Sequence, residues 1–247
     1  MTTTSNSPTI ILIAGHWLGA WAWDDVLDHL DTDNFRATAM TLPGLDRDDP
    51  ERATKTLDDQ AEAVIDVFAR LGVSEDQPAT IVAHSGANAP VSLVLDRHPE
   101  LVDRVVWVDS GPAATGSVFA PDLPDGVEEF PLPPFDVLAQ QASLDGLSPE
   151  VLERFRAGAV PEPGPVLRQS VELTNDARRR KVRTTLVCCS IPSAQVLELA
   201  RAGHPVFAEV ATLEHLDVVD LPTGHWPMWS RPRDLATAIE SATSRTD

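Results

Sequence analysis

The order of segments predicts an α/β protein: a parallel sheet of about six strands, helices on both faces, and an insertion after the fourth strand. Three observations carry this. Short apolar runs, most of them rich in Val, Ile and Leu, lie at residues 9–14, 35–42, 79–83, 104–109, 184–189 and 215–221. Segments with helical spacing, not tight turns, separate most of them. A length of 247 residues is enough to bury one sizeable core. The chain divides into a core formed by 1–109 and 182–247 and an insertion, read as a cap or lid, over 110–181.

Each element has its reason. Residues 9–14, Thr-Ile-Ile-Leu-Ile-Ala, read as a buried strand, and Ala22 to Leu30 follows with helical spacing at Val26, Leu27 and Leu30. Residues 35–42 form a second strand, ended by Pro43-Gly44. Leu57, Ala61, Val64, Ile65, Phe68 and Leu71 mark a helix that Gly72 stops. Residues 79–83 form the third strand, and a helix from Gly86 runs to His98 before Pro99. The fourth strand, 104–109, contains Val105, Val106, Trp107 and Val108. Segments 184–189 and 215–221 complete the sheet, and a helix over 233–243 closes the chain. The stretch 110–181 breaks the rhythm: it holds ten of the 21 prolines, with short helical pieces at 136–141 and 149–157. A long insertion of this kind is usually functional. Its basic run Arg178 to Lys181 reads as a solvated edge.

Composition excludes several roles. Lys and Arg number 19 and Asp and Glu 38, a formal charge of -19. Such a surface repels phosphate backbones and anionic lipid, so neither nucleic acid nor membrane is expected as a partner. With no tyrosine in the chain, a dehydrogenase built on a catalytic Tyr is excluded. No phosphate-binding GxxxxGK[ST] loop occurs. His and Asp are scattered without ligand spacing, so no metal or other cofactor is expected. Adjacent Cys188 and Cys189 cannot form a disulfide framework. The polar, uncharged segment 1–8 and the short apolar run after it do not read as a signal peptide. A cytoplasmic protein is the expectation.

Three segments carry chemistry. In Ile81-Val-Ala-His-Ser-Gly-Ala87 a buried strand runs straight into a helix. A nucleophile on so tight a turn needs small residues two before and two after it, here Ala83 and Ala87. A helix N-terminus also favours a developing anion. Ser85 is therefore the candidate nucleophile; the competing reading is a helix N-cap serine. Leu221-Pro-Thr-Gly-His225-Trp-Pro-Met follows the last strand, at the sheet edge where a base for Ser85 must sit. His225 is that candidate. After the first strand, Ala14-Gly-His-Trp-Leu-Gly-Ala-Trp-Ala-Trp23 offers a Gly-containing loop. The backbone N–H groups of His16 and Gly86 are the candidate oxyanion hole. Trp17, Trp21, Trp226 and Trp229 cluster on these loops, and Phe119, Phe130 and Phe135 lie in the insertion. They suggest an aromatic pocket for a small hydrophobic molecule, although Trp21 and Trp229 could equally pack the loops.

On these motifs the whole chain resembles the α/β-hydrolase superfamily. It is most similar to its compact, cap-bearing esterases and hydroxynitrile-lyase-like members, which begin with an HGxxxGxW segment. Ala14 stands where that pattern has His, which alters how the oxyanion loop is braced. Alanines replace both elbow glycines. The family's usual acid, just after the next-to-last strand, is missing: Ser190-Ile-Pro-Ser-Ala-Gln195 holds no carboxylate. Asp109, at the end of the fourth strand, is the candidate replacement, in a position a minority of the superfamily uses. Glu198 is the alternative. Asp217 and Asp220 look poorly aimed.

The resemblance implies a serine hydrolase that cleaves a carboxylic ester, lactone or related acyl bond through Ser85, His225 and Asp109. A lyase or C–C bond hydrolase could use the same Ser–His pair. Lyases of this group generally need a pocket lysine, however, and Lys55 and Lys181 lie away from the motifs. A non-catalytic ligand-binding protein on the same fold is the third reading.

Overall fold

The computed structural model describes residues 7–174 and 176–245. Most of the polar N-terminal segment, residues 1–6, lies outside them. Six strands form one sheet: β1 (Thr9–Ile13), β2 (Arg36–Met40), β3 (Ala79–His84), β4 (Val102–Val108), β5 (Arg183–Cys188) and β6 (Leu216–Asp220). Their order across the sheet is β2-β1-β3-β4-β5-β6, and every neighbouring pair is parallel.

Alternation along the strands builds two cores. Ile11 and Ile13 of β1, Ile81 and Ala83 of β3, and Val105 and Trp107 of β4 face one layer. Ile10, Leu12, Val82, Val106 and Val108 face the other. Because the side-chain period is two, each central strand feeds both layers. The first layer receives helices Leu57–Leu71, Asn88–Arg97 and Ser193–Arg201; the second receives Asp24–Leu27 and Pro232–Thr243. Thr56 and Asp59 form a capping box on the 57–71 helix, and Gly72 ends it in the left-handed region at φ 73°.

The topology creates the crevice. From β1 the chain moves to β2 on one side; from β3 it moves to β4 on the other. Loops leaving β1 and β3 therefore diverge, and a cleft opens between their carboxyl ends. Register brings those ends level: Ile13 lies opposite Ala83, and His84 opposite Val108.

Two expected helices are shorter than their periodicity suggests. The segment after β1 is a 3-10 turn, Ala20–Trp23, followed by one helical turn, Asp24–Leu27. The Asp31 carboxylate accepts the Asp33 N–H and the Asn34 side chain, closing a turn that stops it. After β3 a 3-10 turn, Ser85–Ala87, precedes the helix. In the stretch 110–181, helices Phe135–Leu138, Pro149–Gly158 and Gly164–Arg168 are short, and Glu129–Phe130 pairs antiparallel with Glu162–Pro163. Prolines at 131, 133 and 134 preclude longer elements there. Among the described residues no helix is long and apolar enough to cross a membrane.

Ile81 is 0% exposed at the centre of β3. Ile81→Ala should cost about 2–5 kcal/mol, seen as a lower urea midpoint at unchanged slope. An unchanged midpoint would mean the layer is not close-packed there.

Candidate active site

Three loops at the carboxyl edge bring Ser85, His225 and Asp109 together. Only three non-glycine residues among those described have positive φ: Trp17 at 65°, Ser85 at 51° and Asp109 at 44°. Each such residue costs on the order of 1–3 kcal/mol and must be held by its surroundings. All three sit at strand ends around one crevice. At Ser85 the left-handed turn joins β3 to the helix behind it and lifts the hydroxyl off the sheet.

His225 connects the other two residues. Its Nε2 lies 2.8 Å from Ser85 Oγ. Its Nδ1 lies 2.6 Å from Asp109 Oδ2. With the Nδ1 proton donated to the carboxylate, Nε2 is left to accept from the serine hydroxyl. The Asp109 side chain is only 6% exposed, and its other contacts come from the end of β5. Oδ1 accepts the N–H groups of Cys189 and Ser190 at 3.0 and 2.9 Å. Oδ2 accepts the Ser190 hydroxyl at 2.6 Å. Burial raises the Asp109 carboxyl, but the hydrogen bond and charge of His225 and the donors of Ser190 outweigh it and hold the group below its ordinary value. Glu198 is on the exposed side of its helix, Asp217 pairs with Arg104, and Asp220 binds Ser193.

The two candidate N–H donors are adjacent. A Cβ on Gly15 would lie 2.8 Å from the Gly86 nitrogen and 2.7 Å from Ser85 Cβ, so only glycine permits this approach. Among the described residues nothing accepts from the His16 N–H. Gly86 is the second residue of its 3-10 turn, where helical N–H groups lack partners. The His16 ring lies against Gly86, where a Cβ would meet Nε2 at 2.3 Å.

The insertion also holds the histidine loop. The His225 N–H donates to Ser143 O at 2.8 Å, and the Gly224 N–H to Asp145 O at 3.1 Å. A Cβ on Gly224 would lie 2.5 Å from that carbonyl, which accounts for glycine before the histidine.

A cavity of about 720 Å³ opens over Ser85 and His225. Phe119, Leu144, Ile191, Val196, Val206 and Phe207 supply apolar walls, Asn88, Gln140 and Gln141 add neutral polar ones, and among the described residues neither Lys nor Arg lines it. The four tryptophans expected there lie elsewhere. Trp17, Trp226 and Trp229 are buried in the second core, with Trp21 stacked on Trp229 at 5.5 Å. Phe155 of the insertion wedges against Trp226 and Trp229, so these large rings seal the loops to the insertion instead of facing the cavity. Cys188 lines the cavity, but burial, then the carboxylates of Asp220 and Asp109, push its thiol up to about 12, leaving it protonated. Among the described residues no cluster could hold a metal ion.

Sequence reasoning missed His84, Ser190 and Glu162. His84 is 1% exposed. Its Nε2 donates to the His225 carbonyl at 2.8 Å, and its Nδ1 accepts from the Gly15 N–H at 3.4 Å. Burial, then the neighbouring His225, lowers it from 6.5 to about 3, so it stays neutral. A signal for Ser190 was available: a hydroxyl where the usual acid is absent.

Comparison with known proteins agrees with the fold. The sequence model of the alpha/beta hydrolase family matches residues 10–238. Two methylesterases of Arabidopsis thaliana are similar: methylesterase 4, 29% identical over 106 residues, and putative methylesterase 14, chloroplastic, 26% identical over 99. The matches take in 42% and 40% of this chain but only 40% and 28% of those proteins. Among solved structures, an extracellular α/β-hydrolase from a Paenibacillus species superposes with a TM-score of 0.74 at 17% identity, covering 96% of this chain and 100% of that one. The Arabidopsis methylesterase MES16 follows at 0.70 and 16%, covering 96% and 99%. At such identities the likeness is one of fold.

His84 titrates lower in the folded protein than in the unfolded chain, so the unfolded chain binds the extra proton. Its contribution to stability is complete above pH 6.5 and is lost as pH falls towards about 3. Urea midpoints at pH 7 and 4.5 should therefore fall further for wild type than for His84→Gln. Equal falls would contradict a buried, neutral His84.

Proposed function

The chain belongs to the alpha/beta hydrolase family, and on that footing we propose that it is a serine esterase acting on small, neutral, hydrophobic carboxylic esters or lactones. One observation carries the reading: a single imidazole bridges a strained serine and a buried carboxylate at 2.8 and 2.6 Å. Ser85 Oγ attacks the substrate carbonyl while His225 Nε2 takes its proton. The negative charge that forms on the carbonyl oxygen is received by the His16 and Gly86 N–H groups. His225, now an imidazolium stabilised by Asp109, hands the proton to the departing alkoxide. Water, deprotonated by His225, then attacks the acyl-serine and releases the acid. The imidazolium returns the proton taken from water to Ser85 Oγ as the acid leaves, replacing the one lost to the alcohol in acylation.

The chemistry of the walls supports the substrate class. A cavity whose described lining mixes apolar and neutral polar side chains and includes neither Lys nor Arg offers no fixed cation to a substrate carboxylate, and a chain of charge -19 repels one. The partner is thus a small neutral molecule, not nucleic acid or lipid surface, in a cytoplasmic protein that needs no cofactor. Lys55 and Lys181 both lie outside the cavity lining, which favours hydrolysis over lyase chemistry.

Hydrolysis of p-nitrophenyl butyrate tests the roles. Ser85→Ala should lower kcat by about 10⁶. Asp109→Asn should lower it by up to about 10⁴, because an amide facing Nδ1 favours the wrong tautomer. Glu198→Gln should leave it unchanged. Turnover surviving in Ser85→Ala would sink the mechanism, and a Glu198→Gln loss matching that of Asp109→Asn would sink the choice of acid.

Substrate charge gives a separate prediction. The mono-p-nitrophenyl ester of succinate should show a kcat/KM at least about tenfold below that of the butyrate at low salt. The gap should narrow as salt screens the repulsion. Equal use of both esters would contradict the neutral-substrate reading.

A further inference from the structure

An oxyanion donor is useful only if its N–H is held in one direction, and the turn that carries His16 is under strain. Trp17 adopts φ 65°, a conformation that a bulky residue enters only when its neighbours enforce it. Ala14, where the resembling members have His, offers no polar side chain. The bracing contacts come from farther away. The Gly15 N–H donates to His84 Nδ1 at 3.4 Å. The Trp17 N–H donates to Glu162 Oε1 at 2.9 Å. The amides before and after that of His16 are thus tied to side chains, and the one between them stays free.

The larger part of the grip on Trp17 comes from the insertion. Val160 N–H donates to the Trp17 carbonyl at 3.0 Å, and Trp17 Nε1 donates to the Phe130 carbonyl at 3.1 Å. Glu162 is 1% exposed. Among the described residues its Oε2 has no partner. Burying a carboxylate so incompletely paired is costly, and an apolar residue would pack there at less expense. What the carboxylate supplies is an acceptor for the Trp17 N–H and a close polar partner for His16, whose Nδ1 lies 3.1 Å from the same Oε1. That contact holds the His16 ring against Gly86, the other donor residue.

We propose that Glu162 is a positioning residue for the oxyanion hole. From the insertion it fixes the Trp17 amide and the His16 ring, and so the direction of the His16 N–H beside Gly86. The inference rests on the esterase reading above.

Glu162→Leu, Glu162→Gln and Glu162→Asp test it in p-nitrophenyl butyrate hydrolysis. Glu162→Leu removes the acceptor and should lower kcat about ten- to a hundredfold with KM within about twofold, a split that a general loosening of the pocket would not give. Affinity for an aliphatic trifluoromethyl ketone, whose adduct with serine carries an oxyanion, should fall by the same factor. Glu162→Gln keeps an acceptor oxygen and should restore kcat to within about threefold of wild type. Amide exchange at residues 15–18 should be faster in Glu162→Leu than in wild type, a readout that does not need turnover. A folded Glu162→Leu with wild-type kcat, ketone affinity and exchange would overturn the proposal. If Glu162→Leu does not fold, Glu162→Asp decides, because it withdraws the carboxylate by one methylene. Wild-type kcat in that variant also overturns the proposal. Ser85→Ala in the same assay separates the two readings: wild-type turnover that survives in it fails the esterase reading, whereas turnover that vanishes in it but persists fully in Glu162→Leu fails the brace alone.

Discussion

The imidazole of His225 is the point where three separate parts of the chain meet. Its two nitrogens reach Ser85 at the end of β3 and Asp109 at the end of β4, and its backbone carbonyl accepts from His84. None of these contacts is local, so each depends on parallel strands held in register with their carboxyl ends level. Two of the three residues with strained, left-handed backbones are the very ones His225 touches. The sheet over-determines those turns. Residues 79–84 of β3 and 104–108 of β4, 0–2% exposed, leave the chain no alternative path at the edge.

The second theme is the part played by the insertion. Its segment 143–145 accepts the N–H groups of Gly224 and His225, and its residues 160 and 162 grip Trp17. Large aromatic rings seal these junctions: Phe155 packs on Trp226 and Trp229, and Trp21 fits where a side chain on Gly158 would clash at 2.4 Å. Dispersion and area burial bond the loops that follow β1 and β6 to the insertion, and the cavity is left with smaller apolar walls. In this arrangement the insertion supports the candidate machinery as well as roofing it.

Much of the fold was legible in the sequence, because buried parallel strands and amphipathic helices have distinct periods. Ser85 and His225 stood out because a tight elbow demands small flanking residues, and because a glycine precedes the histidine. Asp109 emerged from an absence, the lack of a carboxylate after β5. The tryptophans misled: composition places aromatic residues near the loops, but whether a ring turns towards a cavity or a core depends on what packs against it, here Phe155 from 60 or more residues away in the chain. Glu162, His84 and Ser190 were missed for a related reason. Each matters through one partner distant in sequence, and no spacing rule links residue 162 to residue 17.

The linear order of apolar runs and helices was sufficient for the parallel sheet and the edge at which chemistry could occur, and the short motifs at that edge singled out Ser85 and His225 as candidates. Local sterics and hydrophobic period act over a few residues, and a sequence displays them directly. The choice among Asp109, Glu198, Asp217 and Asp220 as the partner of His225, the shape of the cavity, and the contacts around Trp17 were settled by folding. Those are distances between chain segments of large separation, and only strand register and the packing of the insertion bring them within hydrogen-bond reach.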